Sequence, residues 1–333
     1  MAGYVVRRLL LVIPVVWGAL TILFILFFIV PGDPVELMAG GGRAVPESTR
    51  EAIEKEFGLD EPVLSQYVQF WQRTLTGDLG ESYASRRPVS DILGETLPNS
   101  VRLAVWAIAF EALIGISAGV LSAVKRYSFV DGLTTVLTAI ASSIPVFVLG
   151  FLFQQMFGVF PNENGWPQWA RLPVQGTPQE WNFFFFPAGD EWKKLVLPTI
   201  VLASVGTALV ARMTRTTMLE VTRADYMRTA RAKGLKEREV VLKHGLRNAL
   251  IPVVTLIGLD LANLIGAAIL TETVFNWRGM GRQIANSIFR RDAPVVLGLT
   301  LVLVIAYVVI NLLVDLSYGF FDPRVRVGKE ESR

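Results

Sequence analysis

DYMRTARAKGLKEREVVLKHGLRNALIP, residues Asp225–Pro252, is a basic, hydrophilic stretch between two apolar runs that are each long enough to cross a bilayer. Asp225 to Lys233 reads as a short helix that stops at Gly234, a residue able to take the left-handed conformation that closes helices. About two and a half turns is marginal for a helix alone in water. Tyr226, Met227 and Ala230 fall on one side, at i, i+1 and i+4, while Arg228 and Arg231 point elsewhere. A small amphipathic helix just outside a membrane, with little of its own to pack on, is expected to dock against a partner.

The flanking apolar runs belong to a series. Six stretches meet the length and polarity requirements of transmembrane helices, at 9–30, 100–124, 133–158, 195–214, 252–273 and 296–317. The fold class is therefore all-α, a polytopic membrane protein. Arg7 and Arg8 before the first run favour a cytoplasmic N-terminus by the positive-inside rule. Alternation then puts Lys125-Arg126, the 212–250 loop and the tail with Arg324, Arg326, Lys329 and Arg333 on the same side. The 212–250 loop carries ten Lys/Arg against four Asp/Glu, which supports that orientation, with both termini cytoplasmic.

Composition agrees. The chain of 333 residues is 52% apolar with a mean hydropathy of +0.45, above soluble-domain usage. Without cysteine it has no disulfide, thiolate metal site or cysteine nucleophile. The first apolar run ends in Pro31-Gly32-Asp33-Pro34 rather than a small-residue cleavage site, so a cleaved signal peptide is not expected.

Three segments face the other side. The first, 31–98, is too long for a plain connection and reads as helical at Glu47–Phe57 and Val63–Leu75, after a flexible Gly40-Gly41-Gly42. The second, 159–194, holds Trp166, Trp169, Trp181 and Phe183–Phe186, aromatics suited to a membrane interface or a partner subunit. In the third, 274–295, the glycines of Phe275–Gly281 are expected to permit a tight turn. These divisions suggest a first helix with its long extracytoplasmic loop (1–96), a transmembrane domain (97–317) containing a cytoplasmic coupling loop (215–251), and a cytoplasmic tail (318–333).

The string Arg228-Thr229-Ala230-Arg231-Ala232-Lys233-Gly234, followed by Asn248–Pro252, resembles the cytoplasmic loop of the membrane subunits of ABC importers. It is most similar to the peptide/nickel branch. Arg228-Thr229-Ala230 stands where the general motif has Glu-Ala-Ala, and Gly234 to Pro252 is a longer spacing than in sugar importers; both departures match the peptide branch. FGLDEPVLSQY (Phe57–Tyr67), GDLGESY (Gly77–Tyr83), ETLPNS (Glu95–Ser100), IPVF (Ile144–Phe147), ETVFNWRGMG (Glu272–Gly281) and GFFDPRVR (Gly319–Arg326) extend the likeness to that family's first permease subunit.

The resemblance implies a type I ABC importer fold and a coupling helix that sits in a cleft of an ATPase subunit. The residues carried over are Asp225, Tyr226, Arg228, Thr229, Ala230, Arg231, Ala232, Lys233, Gly234 and Leu235. A bulky residue at Ala230 or Gly234 is expected to block that docking. The implied partners are a homologous second permease, two ATPase subunits and an extracytoplasmic substrate-binding protein, in a bacterial-type inner membrane. No cofactor is expected on this chain; ATP and Mg belong to the ATPase subunits. The family carries dipeptides, oligopeptides, nickel complexes, haem and some sugars, with dipeptide or oligopeptide the commonest cargo.

No lysine is followed by Ser or Thr, so the chain has no Walker-type phosphate loop. Gly115-Ile116-Ser117-Ala118-Gly119 matches the GxSxG nucleophile pattern. The single histidine, His244, falls in the basic loop, however, and the glycines read better as a small-xxx-small packing surface. No catalytic residue or metal site is expected, and nucleic-acid binding is disfavoured because the basic run is short and lies against the membrane. Glu111, Asp260 and Asn263, with Asn311 and Asp315, are polar within the spans and should face the bundle or water. Glu111, Asp260 and Asn263 either line a substrate path or hydrogen-bond between helices; Asp315 is expected to pair with a base. An ion-coupled secondary transporter is the alternative class, although each carboxylate lacks an evident partner. Pro14 and Pro145 are expected to bend their helices without breaking them.

Overall fold

A computed structural model describes residues 2–26, 61–290 and 292–321. Pro31–Pro34, Gly40–Gly42, Glu47–Phe57 and the tail beyond 321 lie outside the described residues. The chain divides into two compact units, residues 1–98 with 282–309, and residues 99–281 with 310–333.

The main helices are α1 (Ala2–Phe24), α2 (Val63–Thr76), α3 (Val89–Phe110), α4 (Ile116–Val124), α5 (Phe129–Ser143), α6 (Val146–Gln154), α7 (Lys193–Val221), α8 (Asp225–Ala232), α9 (Arg247–Val274), α10 (Met280–Phe289) and α11 (Ala293–Phe321). Among the described residues, four helical stretches are long and apolar enough to cross a membrane: Val89–Val124, Gly189–Val221, Glu237–Leu261 and Ala293–Val314. A bent pair, Phe129–Ser143 with Val146–Glu163, makes a fifth. The run expected at 9–30 is helical through α1, and its last residues fall outside the described chain.

In the first unit α2 begins and ends close to where the sequence predicts. Its last turn is closed by Gly77 at φ 77°, with Asp78 N–H donating to Arg73 O at 2.9 Å. Phe24 of α1 packs edge-on to Tyr67 of α2 at 5.2 Å between centroids, and the Thr21 and Tyr67 hydroxyls hydrogen-bond at 2.7 Å. The buried carboxylate of Asp292 accepts from Ser82 Oγ and from Tyr83 N–H, which fixes the loop before α3.

The second unit is built around α7, which packs against α4, α5, α6 and α9. Leu195, Leu202 and Ala203 of α7 meet Leu103 and Ala107 of α3 and Leu264 of α9 in its largest apolar cluster. A π turn at Glu111–Gly115 joins α3 to α4. Gly115 and Gly119 lie flush against α7: a Cβ at either would come within 2.7 Å of Val210 Cγ1 or 2.6 Å of Ala211 O. The small-xxx-small expectation is met, and the helices approach as closely as their backbones allow.

The third apolar run is not one continuous helix. It breaks at Ile144, whose backbone is extended (ψ 128°), and the arms meet at 110°. Clash with the Pro145 ring drives the preceding residue out of helical geometry. Pro14, Pro98, Pro198 and Pro252 remain inside helices, so the helix is unbroken at Pro14, as expected, but broken at Pro145. The 159–194 segment contains a short hairpin, Trp181–Phe183 paired with Phe186–Pro187. Arg102 stacks over Trp181 at 4.3 Å and donates to Phe184 O at 2.6 Å, leaving Phe183 exposed.

The glycines of Phe275–Gly281 do something other than turn the chain. The left-handed residue there is Asn276 (φ 52°), while a Cβ on Gly279 would fall 2.3 Å from the Glu272 carboxyl. Glycine is required for close approach to that buried carboxyl, which accepts from Ser100 Oγ at 2.6 Å. Phe275 and Trp277 are completely buried beside it.

Candidate functional site

Two places hold the residues singled out by sequence: the hydrophilic segment after α7 and a carboxylate cluster within the second unit. In the first, α7 ends at Val221 and the chain turns through Ala224 in extended conformation (ψ 150°) into α8. Asp225 lies in the first turn and Arg231 in the last, each at the helix end its charge favours. Gly234, at φ 78°, stops the helix where the sequence predicts, with its N–H on Arg231 O at 2.9 Å. The chain then returns through a helical turn at Glu237–Glu239 and a π turn at Val240–Leu246, which contains His244, into α9.

That return decides which face of α8 is free. Met227 and Ala230 are buried against Val240 and Val221, and Met227 Cε also reaches to 3.2 Å of where a Cβ on Gly245 would be. The side expected to await a partner is therefore covered by the same chain. Local periodicity identifies an apolar side but not the later segment that folds over it. Asp225, Arg228, Thr229, Ala232, Lys233, Gly234 and Leu235 are exposed and make up the free surface. Tyr226 is exposed at its edge, its hydroxyl accepting from Asn248 Nδ2 at 3.0 Å. Arg231 forks onto the Glu237 carboxylate at 3.1 and 2.9 Å, which holds the guanidinium protonated more firmly still. A bulky residue at Ala230 would act on internal packing, not directly on a docking surface.

Sequence reasoning missed a clamp between α5 and α7. Asp131 is 5% exposed and takes both Nε and Nη2 of Arg215, at 2.7 and 2.9 Å. It also accepts from Ser122 Oγ at 2.6 Å and Tyr127 N–H at 2.9 Å. This one carboxylate ties α5 to α4, to the turn between them and to α7. Ser128-Phe129-Val130-Asp131 carries the capping-box signature that marks the start of α5, and Ser128 does cap it. Nothing local announces Arg215.

In the carboxylate cluster Glu111 is completely buried on the π turn, and Asp260 of α9 is half-buried. Both approach across Gly206 of α7, where a Cβ would lie 2.4 Å from Glu111 Oε2 and 2.4 Å from Asp260 Oδ2. Asn263 is exposed and donates to Asp260 Oδ1 at 3.5 Å. The structure brings all three predicted residues together, with Asn263 outermost and Glu111 innermost, and it supplies the carboxylate partner that the sequence did not reveal. Asn311 is half-buried, and the side chain of Asp315 lies outside what the structure describes.

Residues 115–327 match the family model of the binding-protein-dependent transport system inner membrane component, and residues 1–104 match that of the N-terminal part of such membrane components. The chain belongs to this family. The permease is 39% identical to the dipeptide transport system permease protein of Alkalihalophilus pseudofirmus, over 98% of this chain and 100% of that one. It is 38% identical to the glutathione transport system permease protein of Pectobacterium atrosepticum and 37% identical to that of Escherichia coli K12, over 98% of this chain and 99% of each relative. The permease is thus a transport subunit of the inner membrane, of the peptide-type ABC importer class, and not an enzyme. Its GxSxG string serves packing: Gly115 and Gly119 face α7, while Ser117 is exposed.

Proposed function

We propose that the permease forms half of the translocation path of an ATP-driven importer for dipeptides or other short peptides, and that the exposed face of α8 is where an ATPase subunit grips it. The importer comprises this chain, a homologous second permease, two ATPase subunits that bind ATP and Mg, and an extracytoplasmic substrate-binding protein. Six spans cross the bilayer with both termini cytoplasmic, the coupling loop 215–251 lying within the transmembrane domain 97–317. The names of the dipeptide and glutathione relatives support a peptide cargo. The observation that carries the docking assignment is the division of α8 into a face packed on its own chain and a face of Asp225, Arg228, Thr229 and Lys233 left uncovered.

Motion of the ATPase subunits moves α8. Because α8 is fastened to α7 and α9 through Met227 and Tyr226, the displacement passes into both spans and on to α5 through Arg215. Asn263 and Asp260 face the passing peptide. In the co-expressed transporter, Arg228→Ala combined with Lys233→Ala should leave the permease in the membrane, reduce recovery of the ATPase with it and abolish ATP-driven dipeptide uptake. A double variant that keeps its ATPase and transports at the wild-type rate would defeat the assignment.

A further inference from the structure

Glu111 is buried at 0% exposure, and among the described residues neither of its carboxyl oxygens has a hydrogen-bond donor. Its charged neighbour is another acid, Asp260, reached over Gly206. The packed elements offer no base. α7 has no titratable residue between Lys194 and Arg212, and α9 has none between Arg247 and Asp260, its next being Glu272. The helix carrying Glu111 has no other between Arg102 and Lys125. Two ionised carboxylates would put like charges side by side, one fully desolvated, with only acceptors facing each other. A proton on one supplies the missing donor and removes one charge, which is how close carboxyl pairs are resolved.

We propose that Glu111 and Asp260 hold a single proton between them, a proton-binding site that pins the π turn to α9 across Gly206. The partners divide the roles. Asn263 donates to Asp260 Oδ1, whereas neither oxygen of Glu111 has a donor among the described residues. Glu111 therefore donates and Asp260 Oδ2 accepts, and the proton belongs to the pair rather than to either residue. Loss of the proton leaves two facing anions, so the pin fails as the medium becomes alkaline. The site lies between α7 and α9, the two helices that α8 joins, and the inference stands whatever the permease carries.

The test is infrared spectroscopy of the complete transporter in lipid vesicles, recorded as the difference between wild type and Glu111→Gln from acid to alkaline pH. The wild type should show a carboxylic-acid C=O band at neutral pH that the variant lacks, that shifts in D2O and that disappears on alkalinisation. Asp260→Asn should retain a Glu111 acid band but move its frequency, because a neutral acceptor replaces a charged one. The spectrum of Asp260→Asn against wild type decides the matter if Glu111→Gln fails to assemble. Absence of a Glu111 acid band at neutral pH, or a band that Asp260→Asn leaves unmoved, overturns the proposal.

Discussion

Met227→Ala is the perturbation that best tests how α8 is held. A helix of eight residues has little stability of its own. Its external ties, Arg231 to Glu237 and Tyr226 to Asn248, involve exposed side chains, and such surface contacts contribute up to about 1 kcal/mol. The remainder comes from Met227, at 0% exposure, and Ala230, at 7%, against Val221 and Val240. Truncating a buried methionine costs about 2–5 kcal/mol, lost transfer energy plus the cavity left behind. At about 1.4 kcal/mol per tenfold, even the lower limit raises the open population of α8 roughly 30-fold. Amide hydrogen exchange of residues 225–234, followed in the permease reconstituted in lipid nanodiscs without its ATPase subunits, reads that population directly. Arg228→Ala is the control. Its side chain is 76% exposed and meets Asp225 at 3.5 Å, so exchange should stay within about 0.5 kcal/mol of wild type. Equal exchange in Met227→Ala and wild type, or equal acceleration in both variants, would refute the account of α8 as a helix pinned from behind.

Gly206→Ala should destabilise by about 1–3 kcal/mol or more, since the new Cβ falls 2.4 Å from two carboxyl oxygens on separate helices. Gly266→Ala, with nothing within 4 Å of its Cβ position, should be neutral or stabilising by about 0.5–1 kcal/mol; thermal unfolding in one detergent compares them, and equal midpoints would contradict the packing at Gly206. Arg215→Lys keeps the charge but loses the two-point grip on Asp131, so an expected loss of about 1–2 kcal/mol should appear as a lower unfolding midpoint and weaker coupling of uptake to ATP hydrolysis. A fully coupled Arg215→Lys transporter of wild-type stability would remove the clamp from the transmission path.

What was legible in the sequence was local. The extent of α8 and its stop at Gly234 follow from propensity and one permissive residue, and the Gly115/Gly119 surface follows from spacing. The covered face of α8 was not legible, because Val240 and Gly245, which close over Met227, follow an intervening turn. The partnership of Glu111 with Asp260 spans α7, and no pattern in either helix points to the other. Pro145 differs from Pro14, Pro198 and Pro252 in outcome though not in residue type. At Pro145 the preceding Ile144 takes the extended backbone that the ring favours, while the others are carried within long helices.

The corner at Ile144 has a mechanical meaning. A straight rod delivers thrust from one end to the other, but two arms joined at 110° turn a push on one into a swing of the other. The Phe129–Ser143 arm is anchored to α7 by Asp131 and Arg215, and the Val146–Glu163 arm meets the end of α9 through Gln154 Nε2 on Val274 O at 3.0 Å, so the corner gives one span two separate footholds.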